Sequence, residues 1–302
     1  MQYKVIEMIW LNYFSLEDKV HRLIRKYPVV GRQSSAPFLN SDTYFFLCTI
    51  RIERKDDLPL LRNRGENSSV YVDGNFLRAH EEEFLNAVNA SSYDIPVLFI
   101  GDTDLPPSSR VLYSLENSCK KIAVVNSDKE SEKVRAVPLG LESQRYRSAG
   151  QLRDFWNQPD LRAKNRKIGI LVAWNDDTYL IARQSARFTL RQSPLTFEIK
   201  ARVTARYVHR LMRKSLFVAC PPGNGLDTHR FWEALYLGAI PIVLRDAQSL
   251  SYQPWPKLVV DSWQDITACS KDDLISAYTM QRDKLVQFRI DTGIFLQTLL
   301  ER

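Results

Sequence analysis

Hydrophobic and polar positions alternate in blocks along the second half of the chain. Short apolar runs of the buried-strand type are separated by amphipathic stretches with helical spacing. Strands that alternate with helices in this way predict right-handed crossovers and a parallel sheet covered on both faces. The predicted strands are 167–174, 195–200, 216–220, 239–244 and 257–261, and the predicted helices are 179–191, 204–214 and 228–237, with a last helix after residue 273.

The first half shows a less regular form of the same alternation. A polar, Arg-rich stretch over 143–166 separates it from the second half. We therefore predict an α/β fold with two Rossmann-like domains facing a cleft, one over 1–150 and one over 151–302. The elements predicted for the first half are helices at 15–26 and 76–90 and strands at 44–52, 96–100, 121–125 and 134–139.

Composition narrows the class of protein. Of the 302 residues, 44% are hydrophobic and 25% are charged, which excludes a disordered or fibrous chain. No apolar run reaches the length of about 18 residues that a membrane span needs, so we expect no transmembrane segment, no secretory signal and a cytoplasmic location. The cysteines lack paired spacing, which favours free thiols over disulfides or a zinc site: Cys48, Cys119, Cys220 and Cys269.

The net charge of +7 is concentrated in the C-terminal half. From residue 166 onward there are 19 Lys and Arg against 13 Asp and Glu, and the stretch 183–214 holds nine basic residues and one acidic residue. Such a field attracts an anionic ligand, although a solvated basic helix face gives the same pattern. Nucleic acid is the weaker candidate for that ligand, because few aromatic residues interleave with these charges: Phe188, Phe197 and Tyr207.

The segment 216–244 carries the clearest chemical signal. It is predicted as a buried strand, a Gly-containing loop, a capped helix and another buried strand. Gly223 and Gly225 allow positive φ and a close approach of the backbone to a ligand, and Asp227 or Thr228 can cap the helix. A helix N-terminus at the carboxyl end of a parallel strand offers free N–H groups and partial positive charge, which suits a phosphate.

Arg230 and Glu233 are three residues apart on that helix and therefore share a face. An Arg fork fits a diphosphate and a carboxylate fits a ribose diol, so the pair suggests a nucleoside diphosphate. The alternative is that the two side chains only pair with each other on the surface. Neither a phosphate-binding P-loop motif nor the dinucleotide-binding fingerprint is present.

These residues resemble a known family. Cys220-Pro-Pro-Gly-Asn-Gly, followed by Asp227-Thr-His-Arg-Phe-Trp-Glu-Ala-Leu-Tyr-Leu-Gly-Ala-Ile-Pro-Ile-Val, is similar to the donor-binding signature of exostosin-like glycosyltransferases. The segment 258–266 is similar to the Val-Asp/Glu-x-Trp segment that often follows it, whereas the first half matches only loosely. Eukaryotic exostosins typically carry an N-terminal membrane anchor, so this compact chain resembles a bacterial or viral relative.

The resemblance implies a GT-B fold, with an acceptor-side N-terminal domain and a donor-binding C-terminal domain. It implies a nucleotide-sugar donor, usually UDP-linked, a glycan or other hydroxyl acceptor as in polysaccharide biosynthesis, and no bound metal or resident cofactor. Carried over by position, Arg230 would meet the diphosphate and Glu233 the ribose. The donor-binding candidates are Gly223, Asn224, Gly225, Asp227, Thr228, His229, Arg230 and Glu233.

Two further arginines and a set of carboxylates complete the candidates. Arg183 and Arg187 lie on one helix face and could stabilise a departing UDP, or they could be solvent-exposed charges. An inverting transferase needs a base, for which Asp102 and Asp104 come first because they follow the strand 96–100. Spelled Asp-x-Asp, the two could instead hold a divalent ion, and each could also be a solvated turn residue. The reserves are Glu142 and Asp73, while His21, His80 and His209 are expected at the surface and His229 near the donor.

The leading hypothesis is therefore a metal-independent glycosyltransferase without a nucleic-acid partner. Two other classes stay open. The first is a non-catalytic module that binds a nucleotide or an anionic glycan. The second is a nucleic-acid binder that uses the basic stretch 183–214.

Overall fold

The computed structural model describes residues 38–143 and 152–301. The helix predicted at 15–26 and the proposed boundary at 150 lie outside these residues. Each described half of the chain forms one five-stranded, all-parallel sheet with helices packed on it. The predicted α/β architecture with two parallel sheets is therefore confirmed.

The N-terminal sheet has its strands in sequential order, β1 to β5. Right-handed crossovers that all advance in one direction place their helices on one face of the sheet. Among the described strands, this sheet is singly wound and lacks the order reversal of a Rossmann domain. The strands are β1 (Ile50–Ile52), β2 (Val70–Asp73), β3 (Ile95–Gly101), β4 (Cys119–Val125) and β5 (Val134–Val137), and the helices are α1 (Ser41–Leu47), α2 (Pro59–Arg62), α3 (Gly74–Ala79), α4 (Glu81–Asn89) and α5 (Ser109–Glu116).

The two faces of this sheet bury different partners. Alternate strand residues such as Leu98 and Ile122 pack against α2 to α5. The residues between them, including Phe99, pack against α1, where the Tyr44 ring stacks on Phe99 at a centroid distance of 5.3 Å. Strands buried on both faces read as continuous apolar runs, which explains why β3 and β4 were predictable from their sequences.

Three local expectations in this half are wrong. The run 44–52 was expected as one strand, but it forms α1 and then the short β1, because Asn40 caps the helix by accepting from the Thr43 N–H at 3.0 Å. The run 76–90 was expected as one helix and forms two, α3 and α4, which meet at His80. Strand β2 lies between the predicted runs 44–52 and 76–90, where no element was predicted.

The C-terminal sheet agrees with expectation strand by strand. Its strand order is β10-β9-β8-β6-β7, the doubly wound order in which the direction of strand addition reverses between β6 and β8 while all strands stay parallel. Each predicted strand and helix is present. Most end one or two residues inside the predicted bounds, while the strand predicted at 216–220 is shifted by one residue and the last helix begins at Lys271. The strands are β6 (Ile168–Val172), β7 (Thr196–Glu198), β8 (Ser215–Ala219), β9 (Ile240–Leu244) and β10 (Leu258–Val260), and the helices are α6 (Arg153–Trp156), α7 (Leu180–Leu190), α8 (Ala205–Met212), α9 (His229–Tyr236), α10 (Trp263–Thr267) and α11 (Lys271–Glu301).

Packing crosses between the two halves. Phe38 and Leu39 belong to the C-terminal core, and the Leu39 N–H donates to the Tyr236 hydroxyl at 3.1 Å. Phe295 of α11 packs against both the C-terminal core and the α1 face of the N-terminal sheet. In the described part of the chain, no helix is both long enough and apolar enough to cross a membrane.

Candidate active site

The carboxyl ends of the two sheets meet, as the sequence predicted. The loop between β8 and α9 reaches the loops that follow β3, β4 and β5. Asn224 Nδ2 donates to Asp104 Oδ2 at 3.1 Å, and the Asp227 N–H donates to Asn126 Oδ1 at 2.8 Å. The Leu139 N–H donates to Asp227 Oδ2 at 2.8 Å. This loop also borders the order reversal between β6 and β8, where open α/β sheets bind their ligands.

Gly223 and Gly225 are required for space and not for positive φ. Neither is among the described glycines with positive φ. A Cβ on Gly225 would lie 2.5 Å from the Asp104 carbonyl oxygen and 2.6 Å from Asn126 Oδ1, so Gly225 lets the two sheets approach. A Cβ on Gly223 would lie 2.8 Å from Arg183 Nη2. One glycine therefore serves domain contact and the other serves an arginine.

Asp227 connects the two domains. Its side chain accepts from Trp232 Nε1 at 2.7 Å and from Ser251 Oγ at 2.6 Å, in addition to the Leu139 N–H. Burial raises the pKa of Asp227 to about 6, against the lowering effect of these hydrogen bonds. The N-cap of α9 is Thr228 and not Asp227, while the proposed contact of Asp227 with a donor stays a prediction.

Thr228 is the N-cap of α9 but makes no side-chain cap bond. Its Oγ1 is buried and has no partner, while its N–H donates to the Tyr252 hydroxyl at 3.0 Å. The Tyr252 ring stacks on Phe231 at 3.7 Å, which holds the first turn of α9 in place. The helix start therefore has an unsatisfied hydroxyl beside its N–H groups, which suits an anion.

Arg183 and Arg230 approach each other beside that helix start. Arg183 Nε donates to the Pro222 carbonyl at 2.9 Å and Nη1 donates to the Asn175 carbonyl at 2.6 Å, which hold the guanidinium against the loop. Burial, and next the positive charge of Arg230, lower the pKa of Arg183. Arg230 Nε is buried without a partner. Two like charges held together favour an anion between them.

Arg187 has a different role from Arg183. Its guanidinium contacts Asp176 at 3.1 Å and Glu198 at 2.9 Å, and Nη2 donates to the Trp174 carbonyl at 2.8 Å. These contacts join α7 to the loop after β6 and to β7. Arg187 therefore holds the loop that carries Asn175, while the proposed contact of Arg187 with a donor stays a prediction.

Glu233 is buried, and so is the histidine beside it. Glu233 Oε2 accepts from Arg230 Nη1 at 2.6 Å, and Oε1 lies 3.5 Å from His209 Nε2. Burial would raise the pKa of Glu233, yet Arg230 and His209 lower it to about 2. His209 was expected at the surface but is 2% exposed, because α8 packs its inner face on the sheet. The alternative was a surface pair between Arg230 and Glu233. The two side chains do pair, but Glu233 is buried and Arg230 is only partly exposed.

His229 faces the N-terminal domain. Its Nδ1 lies 2.9 Å from the Gly140 carbonyl oxygen and donates a hydrogen bond to it, since a carbonyl oxygen can only accept. The ring is half-buried at the start of α9. It lies near the predicted donor, but its contact with a ligand stays a prediction.

The candidate bases occupy the opposite side. Asp102 has a φ of 49° and accepts from the Tyr71 hydroxyl at 3.1 Å, whereas Asp104 is exposed and accepts from Asn224. Asp73 caps α3, accepting from the Asn75 and Phe76 N–H groups at 2.9 Å each. Within 38–143 and 152–301, no three His, Cys, Asp or Glu side chains form a group that could hold a metal ion.

Sequence reasoning missed the residues that hold the site together. Asn126, Tyr252, His209 and Asp154 contact it from four different loops or helices. Only Asn126 had a usable signal, since it follows β4 as Asp102 follows β3.

Similarity to known proteins is found in the course of the backbone and not in the sequence. No protein-family model matches the sequence and no curated protein matches it. The apo structure of OtsA has a TM-score of 0.46 at 10% identity, over 81% of this chain and 76% of that chain. A trehalose-6-phosphate synthase studied with bisubstrate glycomimetics has a TM-score of 0.45 at 10% identity, over 92% and 82%.

A third solved structure is an α,α-trehalose-phosphate synthase (UDP-forming) from Burkholderia xenovorans in complex with glucose-6-phosphate. Its TM-score is 0.39 at 13% identity, over 82% of this chain and 78% of that chain. Because these TM-scores lie below 0.5, function is inferred below from the residues of this chain. The resemblance to exostosin-like glycosyltransferases stays a prediction.

Proposed function

We propose that the protein is a glycosyltransferase that moves a sugar from a nucleoside-diphosphate sugar to a hydroxyl acceptor. The observation that carries this proposal is the position of the Arg183 guanidinium against Pro222 and Gly223, in the loop that leads into the first turn of α9, where Arg230 lies. The site lies where the C-terminal sheet reverses its strand order. Two guanidinium groups, helix N–H groups and the Thr228 hydroxyl together match the oxygens of a diphosphate.

The same groups supply the catalytic charge. When the bond from the sugar to the diphosphate breaks, negative charge develops on the leaving group. Arg183 and Arg230, held before the reaction starts, stabilise that charge without rearrangement. We therefore propose that transfer needs no bound metal, that the donor is UDP-linked as in the exostosin-like resemblance, and that the acceptor is a glycan or glycoconjugate.

The acceptor enters from the N-terminal side. Asp102 follows β3 and lies on the loop whose Asp104 contacts Asn224 of the donor loop. We propose Asp102 as the base that takes the proton of the acceptor hydroxyl. The Tyr71 hydroxyl orients its carboxylate.

Titration calorimetry with UDP, GDP and their sugar conjugates tests the proposal, followed by assays of donor hydrolysis and transfer with and without EDTA. Arg230→Gln is expected to weaken UDP binding by about 2 to 3 kcal/mol, the value of charge-assisted hydrogen bonds. The control is Arg245→Gln, an exposed arginine paired with Asp261, which should bind UDP like the parent.

Other outcomes point to other classes. Binding of UDP without sugar release or transfer supports a non-catalytic module. Loss of transfer in EDTA contradicts metal independence and points to Asp102 and Asp104 as ligands. Binding to single-stranded nucleic acid with a steep salt dependence supports the basic surface as the functional one.

A further inference from the structure

A buried row of alternating charges leads from α6 to the donor side of the cleft. Asp154 Oδ2 lies 2.9 Å from His209 Nδ1, His209 Nε2 lies 3.5 Å from Glu233 Oε1, and Arg230 Nη1 donates to Glu233 Oε2 at 2.6 Å. From His209 toward the cleft the side chains become more exposed, with 2% at His209, 7% at Glu233 and 26% at Arg230, while Asp154 at the other end of the row is 11% exposed. Arg230 is thus connected to α6 through His209 of α8.

The ring of His209 is enclosed on every side. Phe155 packs against it with a centroid distance of 4.7 Å, and Arg213 Nη2 donates to the main-chain carbonyl of Asp154 at 2.7 Å. Burial lowers the pKa of His209, but Glu233 and Asp154 outweigh burial and raise it above its usual value. The charged or titratable groups around the ring are Asp154 from α6, Arg206 and Arg213 from α8 and its end, and His229, Arg230 and Glu233 from α9.

We propose that His209 is a positioning residue of the donor site: in its protonated form it holds Glu233, which in turn aims Arg230 at the diphosphate. This inference rests on the proposed function. Only protonated imidazole has two N–H donors, and both are needed here, one for each carboxylate. His209 touches neither donor nor acceptor and acts through Glu233.

Loss of the proton has a defined direction. The contact of His209 with Asp154 is 0.6 Å shorter than its contact with Glu233, since 2.9 Å compares with 3.5 Å. The proton therefore leaves Nε2, and Glu233 Oε1 loses its donor. Glu233 is then held by Arg230 alone, and the neighbourhood of the diphosphate becomes more negative by one charge. Both effects weaken the binding of an anion.

The first experiment measures the affinity for UDP between pH 7 and pH 9.5. Above pH 7 the phosphate of UDP is almost fully ionised, because its second pKa is near 6. The uracil N–H of UDP loses its proton near the upper end of the range, so the affinity of the parent chain is compared with that of His209→Gln at each pH. Relative to His209→Gln, we expect the affinity of the parent chain to fall about tenfold as pH rises through the raised pKa of His209, the value of one charge-assisted contact. His209→Gln should bind UDP with the weaker, high-pH affinity at every pH.

Two variants separate positioning from folding. Asp154→Asn removes the charge of the His209 partner that lies farther from the donor, does not alter Glu233, and lowers the pKa of His209. The midpoint of the affinity loss should therefore move to lower pH, while the affinity on the low-pH side of the midpoint stays the same. The matched control is His80→Gln, a histidine remote from the site whose Nδ1 lies 3.7 Å from Glu83; its pH profile should equal that of the parent chain.

The outcomes distinguish the two proposals. If the parent chain binds no nucleoside diphosphate at pH 7, the proposed function and this inference both fail. If UDP binds with the same affinity from pH 7 to pH 9.5, only the inference fails. A pH dependence of equal size in the parent chain and in His209→Gln belongs to another group and also overturns it. A shifted midpoint in Asp154→Asn with an unchanged low-pH affinity supports it even if His209→Gln does not fold.

Discussion

The two sides of the cleft are built in different ways. The donor side centres on one continuous segment, 216–244, in which strand, loop and helix follow each other directly. The opposite side is assembled from the separate loops after β3, β4 and β5, which supply Asp102, Asn126 and Leu139. Sequence patterns indicate which residues are close along the chain, so the donor side could be predicted from sequence. The opposite side could not, because it depends on the topology of the sheet.

The two sides also differ in how their charges are held. On the donor side, Glu233 and His209 are buried between fixed partners, and Arg183 is anchored by two carbonyl oxygens. On the opposite side, Asp104 is exposed and its carboxylate accepts from Asn224. A buried, hydrogen-bonded arrangement is preorganised. The donor side is therefore expected to bind a defined diphosphate, and the opposite side to adapt to its acceptor.

The largest expected effect comes from the opposite side. Asp102→Asn should lower the rate of transfer by about 10² to 10⁴ and leave UDP affinity unchanged, because loss of a general base has that cost. Asp104→Asn should cause a much smaller loss, since the amide oxygen can still accept from Asn224. The measurements are transfer rate and UDP affinity for each variant. Two variants that transfer at the parent rate would place the base elsewhere, with Glu142 as the next candidate.

The second effect concerns the contact between the sides. The pKa of Asp227 is raised to about 6 from its ordinary 3.8, so the folded protein holds this proton more tightly than the unfolded chain. Stability is then greatest below pH 4 for this group and falls as pH rises to about 6, by about 3 kcal/mol. Denaturant unfolding from pH 4 to pH 7 should show this slope, and Asp227→Asn should lack it. A stability difference between the parent protein and Asp227→Asn that stays constant from pH 4 to pH 7 would contradict the assignment.

The secondary structure that could be predicted from the sequence also differs between the two halves of the chain. The strands β6 to β10 and the helix α9 were predicted because each is a single apolar run or a capped amphipathic stretch. The N-terminal half was predicted less well, since β1 and β2 are only three and four residues long and α1 depends on the cap at Asn40. Short elements carry too few residues for a period to be read.

For the site, residue types were predictable and their partners were not. Arg230, Glu233 and Gly225 were identified from local spacing. The burial of Glu233 depends on His209 and Asp154, which lie 24 and 79 positions earlier in the chain. Asp227 was proposed as a helix cap and as a donor-binding residue, although its hydrogen-bond partner Leu139 lies 88 residues away. No local pattern encodes such contacts.

The third effect separates the roles of two neighbouring glycines. Gly225→Ala should destabilise the protein by about 2 kcal/mol, because its Cβ meets the main-chain oxygen of Asp104, which cannot move without parting the sheets. Gly223→Ala meets only the end of the Arg183 side chain. It should leave the unfolding free energy nearly unchanged and weaken UDP binding several-fold. Equal stability losses in the two variants would remove the distinction between a glycine for domain contact and a glycine for the donor.

The smallest effect tests whether Arg183 in particular contributes to the binding of UDP on the donor side. Arg183→Gln should weaken UDP binding about tenfold, the value of one charge-assisted hydrogen bond. The UDP affinity of Arg183→Lys should lie between those of the parent and Arg183→Gln, because a lysine keeps the charge but cannot bond to both carbonyl oxygens that anchor the guanidinium. Arg191→Gln is the matched control, since Arg191 directly follows the same helix and its exposed guanidinium pairs with Glu198. Its UDP affinity should equal that of the parent. If Arg191→Gln and Arg183→Gln lose affinity equally, the site responds to the general field of the basic stretch 183–214, and the anchored guanidinium beside Gly223 has no special part in binding.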